Sequence, residues 1–96
     1  MVKITVRLLA TLKSLAGSEY FTLNVESPIT LKELLEKLSG IVGDKAKERL
    51  FKKGSIELQP DILVLVNDVE IGVLNGLDTI LKEGDVVSFL PTVHGG

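Results

Sequence analysis

Cysteine and tryptophan are absent from this 96-residue chain, and histidine and tyrosine occur once each. Without a thiol there is no disulfide framework, no thiolate nucleophile and no cysteine metal site. The single histidine, His94, stands three residues from the end, which excludes a histidine metal cage or a serine–histidine pair within the fold. Long apolar runs are missing too. The longest nearly uncharged one, 62–66, is far shorter than the ~20 residues a bilayer-spanning helix needs. Met1-Val2-Lys3-Ile4 leads straight into an alternating pattern rather than an uninterrupted apolar stretch, so no secretory leader is expected and a cytoplasmic protein is the default. Nor is there a surplus of positive charge. Eleven Lys and Arg against 13 Asp and Glu leave a net charge of −2, which argues against a dedicated nucleic-acid binder.

What remains is an ordinary globular composition, 45% hydrophobic and 25% charged. A chain of this length makes one domain, with one modest core burying roughly two-thirds of the surface its unfolded form exposes. Residues 2–9 alternate apolar and polar, with Val2, Ile4, Val6 and Leu8 on one face, the signature of a half-buried strand. Residues 11–17 suit one or two helical turns ending at Gly17. Alternation resumes over 20–25, and a compact Gly17-Ser18 connection makes the two strands antiparallel neighbours. After Pro28, Thr30-Leu31-Lys32-Glu33 matches a capping box. Leu31, Leu34, Leu35 and Leu38 then recur at i, i+3, i+4 and i+7, the face of the main helix, with Gly40 as its stop.

A shorter helix is expected over 44–51, capped by Asp44. The β-branched run 62–66 suits a strand covered on both sides or paired centrally. Asn67-Asp68 reads as a tight turn into a short partner strand, 69–71, and Glu83-Gly84-Asp85 as a turn before a last strand over 86–90. Pro91, lacking an amide donor, ends that ladder. The first and last strands then lie side by side at the sheet centre with the main helix crossing one face. This is an α+β arrangement, a mixed sheet packed on one main helix.

The segment 91–96 ends in Gly95-Gly96 and carries no alternating apolar set, so it is expected to be a flexible tail behind a domain of residues 1–90. Fully extended it spans at most about 20 Å. Glycines without Cβ atoms pass a narrow channel and let another enzyme's groups close on a terminal carboxylate. A carboxylate is a poor acyl donor until ATP converts it to an acyl-adenylate, after which sulfur or an amine takes the acyl group. With no cysteine in the chain, a covalent role falls to the terminus or to a lysine. Chance offers an alternative, since average glycine usage of ~7% puts two glycines at the end of roughly one chain in 200.

Val66-Asn67-Asp68, the stretch from Leu77-Asp78-Thr79 through Leu81-Lys82-Glu83-Gly84-Asp85-Val86-Val87, and Ser88-Phe89-Leu90-Pro91-Thr92-Val93-His94-Gly95-Gly96 resemble the small subunit of molybdopterin synthase. The Val-Lys-Ile-Thr-Val-Arg strand and the Leu-x-x-Leu-Leu helix fit as well, so the likeness covers nearly the whole chain, its C-terminal third being the specific part. The resemblance implies a β-grasp, ubiquitin-like domain and a non-catalytic sulfur carrier. An E1-like adenylating enzyme uses ATP to activate Gly96, and a sulfur donor converts it to a thiocarboxylate. The charged tail then enters the molybdopterin synthase large subunit and gives sulfur to the pterin precursor. Gly96 is the carrier and Gly95 the clearance. No bound cofactor, metal, nucleic acid or membrane partner is implied.

Two departures are visible. The family often has a second proline where Thr92 stands, and the 41–60 region is longer, with an extra basic helix. The second leaves open a relative serving tRNA thiolation, or a modifier joined through Gly96 to lysines of target proteins.

The candidate partner-facing residues are Phe89, Leu90, Ile71 and His94. Phe89 and Leu90 point to opposite faces, so one joins the core and the other is an apolar anchor. The resemblance favours Leu90 on the partner side, with Ile71 or Val69 nearby. His94 reads as spacer more readily than as a contact to a phosphate or terminal oxygen. Lys45, Lys47, Arg49, Lys52 and Lys53 read as a solvated face before an RNA contact, and Arg7 as half of an exposed ion pair.

Overall fold

In a computed structural model, which describes residues 1–92, the chain forms a five-stranded mixed sheet with its main helix packed on one face. In chain order the elements are β1 (Val2–Leu8), α1 (Thr11–Ala16), β2 (Tyr20–Val25), β3 (Ile29–Thr30), α2 (Leu31–Ser39), α3 (Asp44–Leu50), β4 (Ile62–Val66), β5 (Val69–Glu70), β6 (Ile80–Leu81) and β7 (Val86–Pro91). Single 3-10 turns occupy Ile71–Val73 and Gly76–Asp78. The sheet order is β2-β1-β7-β4-β5. As expected, the first and last strands run side by side at its centre, in parallel, with Thr5 opposite Val86 and Leu8 opposite Phe89. The other neighbours are antiparallel.

Alternation decides what each strand buries. Ile4, Val6 and Leu8 of β1, Val64 and Val66 of β4, and Val87 and Phe89 of β7 all enter one core. They meet Leu31, Leu34, Leu35 and Leu38 of α2, each at most 1% exposed. Burying each of these side chains contributes about 1.5–3 kcal/mol, so packing outweighs the cap in holding α2 in place. The cap is nonetheless complete. Thr30 Oγ1 accepts from Glu33 N at 3.2 Å, and Glu33 Oε1 accepts from Thr30 N at 3.1 Å.

Several expectations are corrected. Gly40 does stop α2 as expected, but in a right-handed conformation (φ −86°), its N–H donating to the Leu38 and Lys37 carbonyls. The cap of α3 is Gly43, at φ 86°, and Asp44 instead sits in the first turn, where its charge faces the positive helix end. Helix α3 stops at Leu50, and Phe51 turns extended to bridge Leu58. Strand β5 ends at Glu70 because the Glu70 carboxylate accepts from Gly72 N at 2.7 Å and draws Ile71 into a 3-10 turn. A second two-stranded sheet, β3 with β6, pairs Ile29 with Leu81 and Thr30 with Ile80. Two-residue strands leave no periodicity to read.

Candidate functional site

Strand β7 sorts its own side chains. Phe89 is fully buried against the core, so it is not available to a partner; this corrects its place among the partner-facing candidates. Leu90 lies on the opposite, open face and is partly exposed. Its cross-strand neighbour there is Leu63, and Leu65 sits one row away opposite Ser88. The three leucines make an apolar patch on the open face. The run 62–66 reads as covered on both sides or paired centrally, and only the second alternative, which holds here, leaves Leu63 and Leu65 on an open face. In the structure β4 is paired on both edges but packed by the core on one face only.

The row through Ser88 crosses all five strands: Tyr20, Arg7, Ser88, Leu65 and Glu70 stand in register. Arg7 is fixed within it. Its guanidinium carbon lies 5.7 Å from the Tyr20 ring centroid, and Nε donates to Glu19 Oε2 at 2.8 Å. Lys13 Nζ approaches Glu19 Oε1 at 3.3 Å. Hydrogen bonds from Arg7 and then Lys13 hold the Glu19 carboxyl below the usual glutamate range, and the bond to Glu19 raises Arg7. The ion pair expected for Arg7 is thus present, at the rim of the leucine patch.

Ile71 and Val69 are not beside Leu90. Val69 pairs with Val66, whose side chain enters the core, and Ile71 packs against the core from its 3-10 turn. Both belong to the sheet's β5 edge rather than to the open face around Leu90, because side chains alternate along a strand.

The base of the C-terminal segment is built by residues that the sequence reading assigned elsewhere. Pro91 stands opposite Ile62 as the last residue of β7. Thr92 donates twice to the Asp61 carbonyl, from N and from Oγ1, each at 2.8 Å. Both residues are therefore held by the domain, which moves the boundary expected after residue 90. The Asp61 carboxylate in turn accepts two bonds from Arg49 of α3, Nη1 to Oδ1 at 3.0 Å and Nη2 to Oδ2. That pairing raises the Arg49 pKa. Gln59 closes the same loop, with N donating to Leu50 O at 2.7 Å and Nε2 to Phe51 O at 3.0 Å. Arg49 and Lys52, the latter paired with Glu57, are thus engaged within the domain rather than presented as a uniform basic face. His94, Gly95 and Gly96 lie outside the described residues.

Among the described residues no group of three or more His, Cys, Asp or Glu is placed to hold a metal ion, and no buried side-chain polar atom lacks a hydrogen-bond partner. No helix there is long and apolar enough to cross a membrane. What these residues offer is an apolar patch with a rim of mixed charge and a fixed point of departure for the last described residues.

Comparison with known proteins places this geometry. A Methanosarcina acetivorans small archaeal modifier protein, SAMP1, superposes with a TM-score of 0.83 at 32% identity, covering all of this chain and 98% of that one. A Pyrococcus furiosus protein provisionally named molybdopterin converting factor, subunit 1, gives 0.74 at 28% identity, covering 97% of this chain and 100% of that one. A curated Archaeoglobus fulgidus relative, provisionally named sulfur carrier protein, is 40% identical over 68 residues, 71% of this chain and 75% of its own. One further neighbour is a chain of the Amycolatopsis orientalis BexX/CysO complex, at 29% identity and a TM-score of 0.68 over 97% of this chain and 99% of that one. The ubiquitin-like, α+β fold is the β-grasp of these neighbours. The model of the family described as Urm1 (Ubiquitin related modifier) matches residues 3–96. With the match running from the first strand through Gly95-Gly96, the chain belongs to the Urm1, or ubiquitin related modifier, family.

Proposed function

We propose that this chain is a sulfur carrier whose reactive group is the Gly96 carboxylate. A family match that extends through both closing glycines carries the reading. A carboxylate oxygen attacks the α-phosphorus of ATP on an E1-like enzyme and pyrophosphate leaves. Hydrosulfide-level sulfur then attacks the carbonyl carbon and expels AMP, leaving a thiocarboxylate. The chain supplies the acyl group and the docking surface, while the acid–base groups belong to the partner. The leucine patch formed by Leu63, Leu65 and Leu90 suits that docking, because an apolar centre with a charged rim is how such contacts are built.

For the acceptor, the C-terminal third and the Pyrococcus neighbour support delivery to the large subunit of molybdopterin synthase and its pterin precursor. Transfer to lysines of target proteins is a second reading, supported by the modifier names of the family and of the Methanosarcina neighbour. One activated terminus serves either nucleophile.

Incubation with an E1-like enzyme, ATP and sulfide, followed by intact-mass measurement, tests the shared step. The expected result is one oxygen-to-sulfur exchange localised to Gly96; no exchange there defeats the reading. Conjugates distinguish the acceptors. No Lys or Arg follows Lys82, so trypsin would leave residues 83–96 as a branch on the target lysine. Cells without such branches leave only sulfur delivery.

A further inference from the structure

The 41–60 region reaches the base of the C-terminal segment through a continuous chain of bonds. Arg49 leaves α3 and grips both carboxylate oxygens of Asp61. The Asp61 carbonyl accepts both Thr92 donors. Gln59 fastens the loop before Asp61 to the end of α3 by backbone and side chain. Helix α3 is itself rooted in the core through Ala46 and Leu50. The pair is partly buried, Asp61 being 14% and Arg49 32% exposed at the side chain. A two-bond, charge-assisted contact of this kind fixes orientation as well as distance.

We propose that Arg49 and Asp61 are positioning residues that clamp Thr92, and that this is what the 41–60 region contributes to activation of the C-terminus. The inference rests on the sulfur-carrier reading. With Thr92 held, four residues remain between the clamp and the carboxylate, a reach of about 14 Å when extended. Releasing Thr92 and Pro91 lengthens the distance in sequence from the last held residue to the carboxylate from four residues to six. Every residue freed must be ordered again when the terminus enters a reaction centre, a cost that falls on the reacting complex and not on docking. A proline at position 92 would have neither an amide hydrogen nor a hydroxyl to give Asp61. Thr92 supplies both.

Two measurements on the full chain test this. The first is amide hydrogen exchange at Thr92, read by NMR, with Phe89 as an internal control for the sheet. The second is ATP–pyrophosphate exchange with the activating enzyme, resolved into kcat and KM for the chain. In the wild type the Thr92 amide is expected to exchange at least tenfold more slowly than an open amide. Arg49→Gln should abolish that protection while Phe89 stays protected, and should lower kcat about tenfold with KM unchanged. Thr92→Val, which keeps the amide, should fall between, and Thr92→Ser should restore wild-type kcat. An unprotected Thr92 in the wild type overturns the clamp. So does an Arg49→Gln chain with wild-type kcat, or one in which only KM changes. If the wild type is never adenylated, the carrier reading falls and the positioning role with it, whereas Thr92 exchange reports the clamp independently of that result.

Discussion

Asn67 and Asp85 are joined across the two turns that bracket β7's lower end. Asn67 Nδ2 donates to Asp85 Oδ1 at 2.9 Å, and Asn67 Oδ1 accepts from Val86 N at 2.9 Å. Asp85 Oδ2 also accepts from Lys82 N at 2.7 Å. Asn67 and Asp68 both adopt positive φ, 50° and 69°, as a two-residue turn between antiparallel strands demands. The Asn-Asp and Gly-Asp motifs of the C-terminal third thus have a structural task, registering the last strand against β4.

Replacing Asn67 by Ala should therefore cost about 1–3 kcal/mol, from the lost side-chain bonds and the strain of a left-handed alanine. Asn67→Gly relieves the strain but not the lost bonds and should fall between. Urea denaturation of the two variants measures this. Wild-type stability in Asn67→Ala would mean that the network contributes nothing.

Adjacent residues of β7 should separate stability from association. Phe89→Ala empties a fully buried site and is expected to cost about 3–5 kcal/mol. Leu90→Ala, on the open face, should cost about 1 kcal/mol or less and weaken binding to an activating enzyme more than tenfold. Denaturation and titration calorimetry together decide. Equal effects of both variants on stability, with binding untouched by Leu90→Ala, would remove the leucine patch as the docking surface.

Acid sensitivity follows from Glu19. Its carboxyl titrates below the usual glutamate value of ~4.3 because Arg7 and Lys13 bond the ionised form. The folded state therefore binds this proton less readily than the unfolded chain. The resulting stabilisation is complete above about pH 4.3 and is lost as pH falls through the lower folded-state value. The advantage of wild type over Glu19→Gln should shrink on acidification from neutrality to below that window. The effect is small, since the side chain is 23% exposed and solvent screens the pair. A difference independent of pH would show that the Arg7–Glu19 pairing does not persist in solution.

The parts of the fold legible in the sequence are those where one signal dominates. Four leucines at helical spacing behind a Thr30–Glu33 capping box leave no alternative to α2, and strict alternation does the same for β1. The sequence misleads where a local bond competes. Glu70 bonding Gly72 shortens β5, and Gly43, at a positive φ of 86°, takes the cap expected of Asp44. It is silent where the partner is distant: neither β3 with β6 nor Asp61 with Thr92 has any periodic trace. Of the candidate site, the opposite facing of Phe89 and Leu90 was readable from alternation alone. Leu63 and Leu65 were hidden in a uniformly apolar run, and the tail's attachment depends on a carbonyl, which no side-chain pattern records.

The parallel pairing of β1 with β7 also bears on how the molecule is made. Residues 86–91 fill the gap between β1 and β4, so a nascent chain stopped before them holds two separate halves of a sheet with nothing between. Ribosomal synthesis delivers that wedge after every other strand, and contacts so distant in sequence are slow to form. Folding thus waits for residues 86–91, and a chain stopped before them is left with an open, unstable sheet.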